Sequence, residues 1–196
     1  MRTNKNSLNR ISIAFFVLLI CNCLSIRSQG VLGIFLSAED FRNGKLSFSK
    51  TQDSKCKIKV HSGSTRKKIY IKCGKESIFL SKDSVYGYKD NGGLIYRFYK
   101  GVDYNLINPE EEIQLYEIQV SGPTKYEPPV VNYYFSANSS GPLYALNIYN
   151  VLSVFSHNQR FCELVELRFR YDSELLEFDS YHKKYKLNRL LELSTK

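Results

Sequence analysis

The chain has 196 residues, 43% of them hydrophobic and 24% charged, with a formal net charge of +9. That balance excludes a disordered or low-complexity polypeptide, which would lack the apolar surface to form a core. The absence of any apolar run near the roughly 20 residues of a membrane-spanning helix excludes a polytopic helical membrane protein.

The first residues read as a targeting segment. Arg2, Lys5 and Arg10 precede the apolar stretch from Ile11 to Leu24, and Ser25-Ile26-Arg27-Ser28 precedes Gln29. This charged, apolar, then small-residue order predicts a secretory signal peptide over residues 1–28. Lipid attachment at Cys21 or Cys23 is the alternative, although neither follows the small residue that a bacterial lipoprotein signal prefers. The expected product is exported, periplasmic or extracellular, without a transmembrane helix in the mature chain. Removing 28 of 196 residues leaves 168, enough for one α+β domain over residues 29–196. The removed segment carries four basic and no acidic residues, so 28 less four leaves 24 Lys and Arg against 19 Asp and Glu, or +5.

Ser37-Ala38-Glu39-Asp40-Phe41 has the pattern of a short helix with Ser37 as N-cap and acids in the first turn. "CKIKVHSGSTRKKIYIKC" then alternates on both sides of a Ser-Gly-Ser loop, predicting a hairpin. With Ile58 opposite Ile71 and Val60 opposite Ile69, Cys56 falls opposite Cys73, and a disulfide between them is expected in an oxidising compartment. The same register opposes Lys57 to Lys72, Lys59 to Tyr70 and His61 to Lys68. Opposed like charges repel. That face is therefore either solvated or meets something negative, and Lys57, Lys59, Lys68, Tyr70 and Lys72 form the candidate anion-facing surface.

"VYGYKDNGGLIYRFY" reads as a second hairpin. A two-residue Asn91-Gly92 turn pairs Tyr88 with Ile95, whereas a three-residue turn with Gly93 left-handed pairs Tyr88 with Tyr96 and Tyr86 with Phe98. The second register is preferred because it gathers four aromatics on one face and leaves Lys89 and Arg97 on the other. Further strands follow at "EEIQLYEIQV", where the apolar phase shifts between Leu115 and Tyr116 as at a bulge, and at "VVNYYFS", separated by a loop bearing Gly122, Pro123, Pro128 and Pro129.

From Asn147 the apolar period becomes helical. Asn147 caps a helix carrying Val151, Leu152 and Phe155, Asn158 a second carrying Phe161, Val165 and Phe169, and a last helix is expected from about Phe178 to Leu193, with Tyr181, Tyr185 and Leu191 facing the sheet. Strands first and helices afterwards argue an α+β fold. It would be an N-terminal antiparallel sheet, or a partly open barrel-like roll of hairpins, packed by C-terminal helices.

The segments "LSAEDF", "VYGYKDNGGLIYRF", "YYFSANSSGPLYALNIYNV" and "FDSYHKKYKLNRLLELS" together resemble a group of small secreted proteins of unassigned function from Bacteroidetes-type bacteria. The resemblance covers most of the mature chain and implies an envelope location and a one-domain architecture. It rests on no catalytic signature, implies no substrate and transfers no functional residue.

Familiar chemistry leaves few traces. His61, His157 and His182 are scattered, and neither a Gly-x-Ser-x-Gly elbow nor a His-Glu-x-x-His helix occurs. Asp179 and His182 at i, i+3 have the spacing of a carboxylate-bridged metal site but lack the second copy that such a site needs, and a surface hydrogen bond is the simpler reading. Cys162 with His157 can be written as nucleophile and base, against a thiol packed beside Phe161 and Val165. Gly87, Gly92 and Gly93 lack the spacing of a phosphate loop, and no cofactor is implied. Export disfavours nucleic acid. Asn138-Ser139-Ser140 is a glycosylation acceptor only in a eukaryotic secretory pathway. Three function classes remain: a noncatalytic envelope module that binds an anionic polymer or protein partner through the lysine face, a binder of a small apolar ligand between sheet and helices, and an enzyme of unfamiliar type using Asp179, His182 or Cys162.

Overall fold

The computed structural model describes residues 32–50, 56–61, 67–122, 124 and 127–195. The signal peptide, Cys21, Cys23, the cleavage before Gln29 and the Ser-Gly-Ser loop lie outside them. In chain order the elements are β1 (Leu32–Phe35), α1 (Ala38–Arg42), β2 (Phe48–Lys50), β3 (Cys56–Lys59), β4 (Lys68–Cys73), β5 (Glu76–Ser81), β6 (Gly87–Lys89), β7 (Ile95–Tyr99), β8 (Val102–Leu106), β9 (Gln114–Val120), β10 (Val130–Ser136) and β11 (Tyr144–Ala145). They continue with α2 (Ile148–Val154), α3 (Gln159–Arg168), the short strands β12 (Phe178–Asp179) and β13 (Lys184–Tyr185), and α4 (Lys186–Ser194). The fold is α+β with antiparallel sheets that are not closed into a barrel. Eight strands form one sheet in the order β11-β10-β9-β8-β7-β6-β1-β2, three form a second in the order β3-β4-β5, and β12 pairs with β13.

Register decides which side chains meet. Ile34 pairs with Tyr88 and Tyr88 with Tyr96, and the alternation continues across the large sheet to Glu117, Tyr133, Leu115 and Phe135. One face therefore carries two separate cores. At one end Ile34, Tyr88 and Phe98 meet Ile58, Ile69 and Ile71 of the small sheet; at the other, Leu115 and Phe135 meet Val151, Phe161, Val165, Leu187 and Leu191 of the helices. Each fully buried apolar side chain contributes about 1.5–3 kcal/mol. Lys82, fully buried, fastens the small sheet to the large one by donating from Nζ to the His61 carbonyl and to Asp103 Oδ1, both at 2.9 Å.

The opposite face of the large sheet is covered differently. Phe35, Leu106 and Tyr116 lie there beneath Phe41 of α1 and Tyr86. The expected caps form: Ser37 Oγ accepts from the Asp40 amide at 3.0 Å, Asn147 Oδ1 from Asn150 at 2.7 Å and Asn158 Oδ1 from Phe161 at 3.0 Å. Two buried asparagines fix the start of β9, Asn188 bonding both the amide and the carbonyl of Ile113 and Asn108 accepting from Leu115.

Three sequence expectations are corrected, while the preferred hairpin turn forms. The β6–β7 hairpin has the three-residue turn, with Tyr88 opposite Tyr96 and Gly93 at φ +90°. Tyr86 nevertheless leaves its row, because it stacks on Phe41 at 4.9 Å on the other face. Gly87 lies against the Tyr96 carbonyl where a Cβ would clash, so the backbone comes close at the step where the row breaks. Arg97 shares the face of Lys89, as expected, but that face is covered where it lies and Arg97 is only 5% exposed. No bulge separates Leu115 from Tyr116, since β9 and β10 pair without interruption from Gln114–Ser136 to Val120–Val130; the apolar phase shifts because both faces are covered there. The last helix starts at Lys186 rather than Phe178. Asp179 Oδ1 instead accepts from the amides of Tyr181 and His182, and Lys183 is left-handed at φ +56°. This side-chain turn competes with helix, and it leaves Tyr181 exposed.

Candidate functional site

The small sheet has one buried and one open face. β3 and β4 pair Cys56 with Cys73, Lys57 with Lys72, Ile58 with Ile71 and Lys59 with Tyr70, and a disulfide joins Cys56 to Cys73. β5 extends the register, setting Ser77 against Lys72, Phe79 against Tyr70 and Ser81 against Lys68. With the isoleucines turned into the core, Lys57, Lys59, Lys68 and Lys72 all point to solvent and Tyr70 is half-buried. Phe79 is 64% exposed and lies 5.2 Å from Tyr70, whose hydroxyl is 3.2 Å from Ser77 Oγ. The described outer face thus carries four lysines and two adjoining rings without an aspartate or glutamate. Phe79 was missed in the sequence; the alternation of "ESIFLS" carried the signal, but its phase is set only by pairing with β4.

The catalytic candidates are placed apart from this face. Asp179 and His182 flank the β12–β13 turn, with His182 Nδ1 2.6 Å from Asp179 Oδ2, and this contact, together with backbone amides, holds the Asp179 carboxyl below the usual range. Cys162 bonds the Phe155 carbonyl at 3.3 Å and packs against the helical core. Burial, and then the nearby Glu166 carboxylate, push its thiol up, the reverse of what a thiolate nucleophile needs. Among the described residues no group of three or more His, Cys, Asp and Glu side chains could hold a metal, and no helix is long and apolar enough to cross a membrane. Between the sheet and the helices lie the core side chains already described.

A second polar feature lies on the other face of the large sheet. Arg97 donates from Nη1 to Tyr116 Oη at 3.0 Å and Ser136 Oγ at 3.3 Å, and from Nη2 to the Gly141 carbonyl at 2.6 Å. Its guanidinium lies 5.4 Å from the ring centre of Tyr86 and 5.7 Å from those of Tyr99 and Tyr116. Among the described residues no carboxylate pairs with it. Tyr116 also donates to Gln114 Oε1 at 2.6 Å, and Tyr86 reaches the same oxygen at 3.4 Å. Burial, reinforced by the neighbouring Tyr116, pushes the Tyr86 phenol well above its ordinary range although Arg97 pulls the other way. Sequence reasoning missed this network because Ser136 and Gly141 lie far along the chain from Arg97.

No protein-family model, curated protein or solved structure matches the chain.

Proposed function

We propose that the chain is an exported, noncatalytic binding module of the cell envelope, and that the outer face of β3, β4 and β5 docks an anionic polymer. The observation that carries this reading is the exposed Phe79 beside the half-buried Tyr70, set among Lys57, Lys59, Lys68 and Lys72 with no acid on the described face. Four ammonium groups supply attraction, while the two rings give an apolar strip on which a sugar or chain backbone can lie. The lysines repel one another when unliganded, and a bound polyanion relieves that repulsion. No covalent step is assigned to the face. Export and an envelope location follow from the reading of residues 1–28 and from the resemblance of the mature segments to small secreted proteins.

The test is binding to immobilised alginate and lipopolysaccharide by surface plasmon resonance. Exposed charge attraction is screened over about 8 Å at physiological ionic strength, so affinity should fall on the order of tenfold between about 20 mM and about 150 mM salt. Replacing the four lysines with glutamine should abolish binding and leave the circular dichroism spectrum and thermal midpoint nearly unchanged. A parent that ignores both polymers, or a quadruple variant that binds them equally well, overturns the proposal.

A further inference from the structure

On the large-sheet face that carries Arg97, a cleft of about 860 Å³ opens between α1, the end of β6, the segment joining β8 to β9 and the loop after β10. We propose that it is a second binding site, for a small zwitterion bearing a carboxylate and an amine, such as a free α-amino acid or a short peptide.

The carboxylate end is argued from donors left over by the protein's own bonds. Gln114 is 3% exposed and lines the cleft, yet its Oε1 is already taken by the Tyr116 and Tyr86 hydroxyls and its Nε2 has no partner among the described residues. That N–H opens onto the cleft rather than being enclosed by protein, so it is free to donate to an acceptor there. Arg42 also lines the cleft. Its Nη1 bonds Ser139 Oγ at 2.9 Å and Ser140 Oγ at 3.3 Å, and these bonds hold the guanidinium in place while no carboxylate of the described residues pairs with it. Lys89 adds a second cation, which forms no ion pair among the described residues. Arg97 contributes from behind, because Gln114 and Arg97 share Tyr116 as a hydrogen-bond partner and Arg97 brings its charge into the interior unneutralised. Guanidinium, ammonium and amide donors together suit a carboxylate.

The amine end is argued from Glu110 and Glu112, which line the same cleft, are exposed, and form no ion pair among the described residues. Glu111 between them is occupied, accepting from the Tyr185 amide at 3.2 Å. The cleft therefore holds cations and anions that do not pair with each other. A ligand carrying both charges would bridge them, with Leu46 and Ile95 of the lining offering apolar contact.

Isothermal titration calorimetry with the full chain tests this, using alanine, glutamate, lysine and alanyl-alanine, followed by the N-acetyl and C-amide forms of whichever binds tightest. The expected result is saturable binding of a zwitterion, weakened at least about tenfold by either blocking group, a loss of about 1.4 kcal/mol. R42Q should lose the preference for the free carboxylate over the amide, and E112Q the preference for the free amine over the acetylated form. Both variants alter exposed or rim positions, and their thermal midpoints are read first to show that they fold. The quadruple lysine-to-glutamine variant of the small sheet should bind the zwitterion like the parent, which separates this site from the polymer-docking face. If none of the four probes binds, if the blocked forms bind as tightly as the free one, or if both variants keep the parent's preferences, the cleft is not a zwitterion site.

Discussion

The two sheets carry their positive charge under opposite conditions. On the small sheet, four lysines stand in water on one face while isoleucines and a disulfide hold the other. On the large sheet, Arg97 lies inside the protein, with three oxygen acceptors and three tyrosine rings standing where a carboxylate would be expected. A solvated cation costs the fold little and remains free to meet a partner. A buried one is tolerated only when its donors are satisfied, and then it organises whatever surrounds it. The same charge is thus a contact in one region and a framework in the other.

Three changes sharpen that comparison. The largest effect should come from the staple of the small sheet. The Cys56–Cys73 link closes a loop of sequence separation 17, for which chain entropy gives about 3 kcal/mol. Replacing both cysteines with serine should lower the unfolding free energy read from urea denaturation by that much, and the midpoint with it, measured against the parent under the same nonreducing conditions. An unchanged midpoint would mean that the isoleucine core alone secures the sheet.

Next comes Arg97→Met. It leaves the Gly141 carbonyl without its donor and removes the guanidinium from three rings, and a loss of about 2 kcal/mol is expected from the orphaned group and the lost contacts. Chemical denaturation measures it. Lys57→Gln on the small sheet, in the same experiment, should stay within about 0.5 kcal/mol. Equal effects at the two positions would erase the distinction between framework and contact.

The smallest effect concerns an intermediate case, a carboxylate among half-exposed cations. Glu177 accepts from Lys186 at 2.6 Å and pairs with Arg168, and these contacts, the Lys186 bond foremost, hold its carboxyl below the ordinary range. A carboxyl depressed in the folded state adds stability above its unfolded pKa, and that stability is lost as pH falls through the folded value. The thermal midpoint of Glu177→Gln should therefore trail the parent's at neutral pH and approach it near about pH 3. A gap that persists unchanged in acid would assign the effect to packing.

What could be read from the sequence was local. Strict alternation around Ile58, Val60, Ile69 and Ile71 gave the β3–β4 register, and Ser37, Asn147 and Asn158 marked helix starts by their own short-range bonds. The aromatic row favoured the three-residue hairpin turn that forms, with Gly93 left-handed. What escaped was whatever depends on a distant partner. Arg97 alternates like a solvent-facing residue, and only Tyr116, Ser136 and Gly141, 19 to 44 positions away, make its burial tolerable. Tyr86 followed the aromatic alternation until Phe41 drew it to the other face. The last helix shortened because Asp179 satisfied two amides in a turn, a competition that apolar spacing does not register. The cleft is assembled from four separate segments, so no single stretch of sequence announces it.

The lysines around Tyr70 and Phe79 also govern how copies of the chain treat one another. The exposed Phe79 beside Tyr70 on the open side of a sheet invites face-to-face stacking with a second copy, as does β5, which ends the three-stranded order. Stacking would bring two sets of four lysines together, and like charges in close opposition resist it. Salt then acts on the two encounters in opposite senses, loosening the hold on a polyanion while lowering the barrier between identical faces. In the proposed role, the lysines that attract a foreign polymer would also be the ones that keep copies of the chain apart.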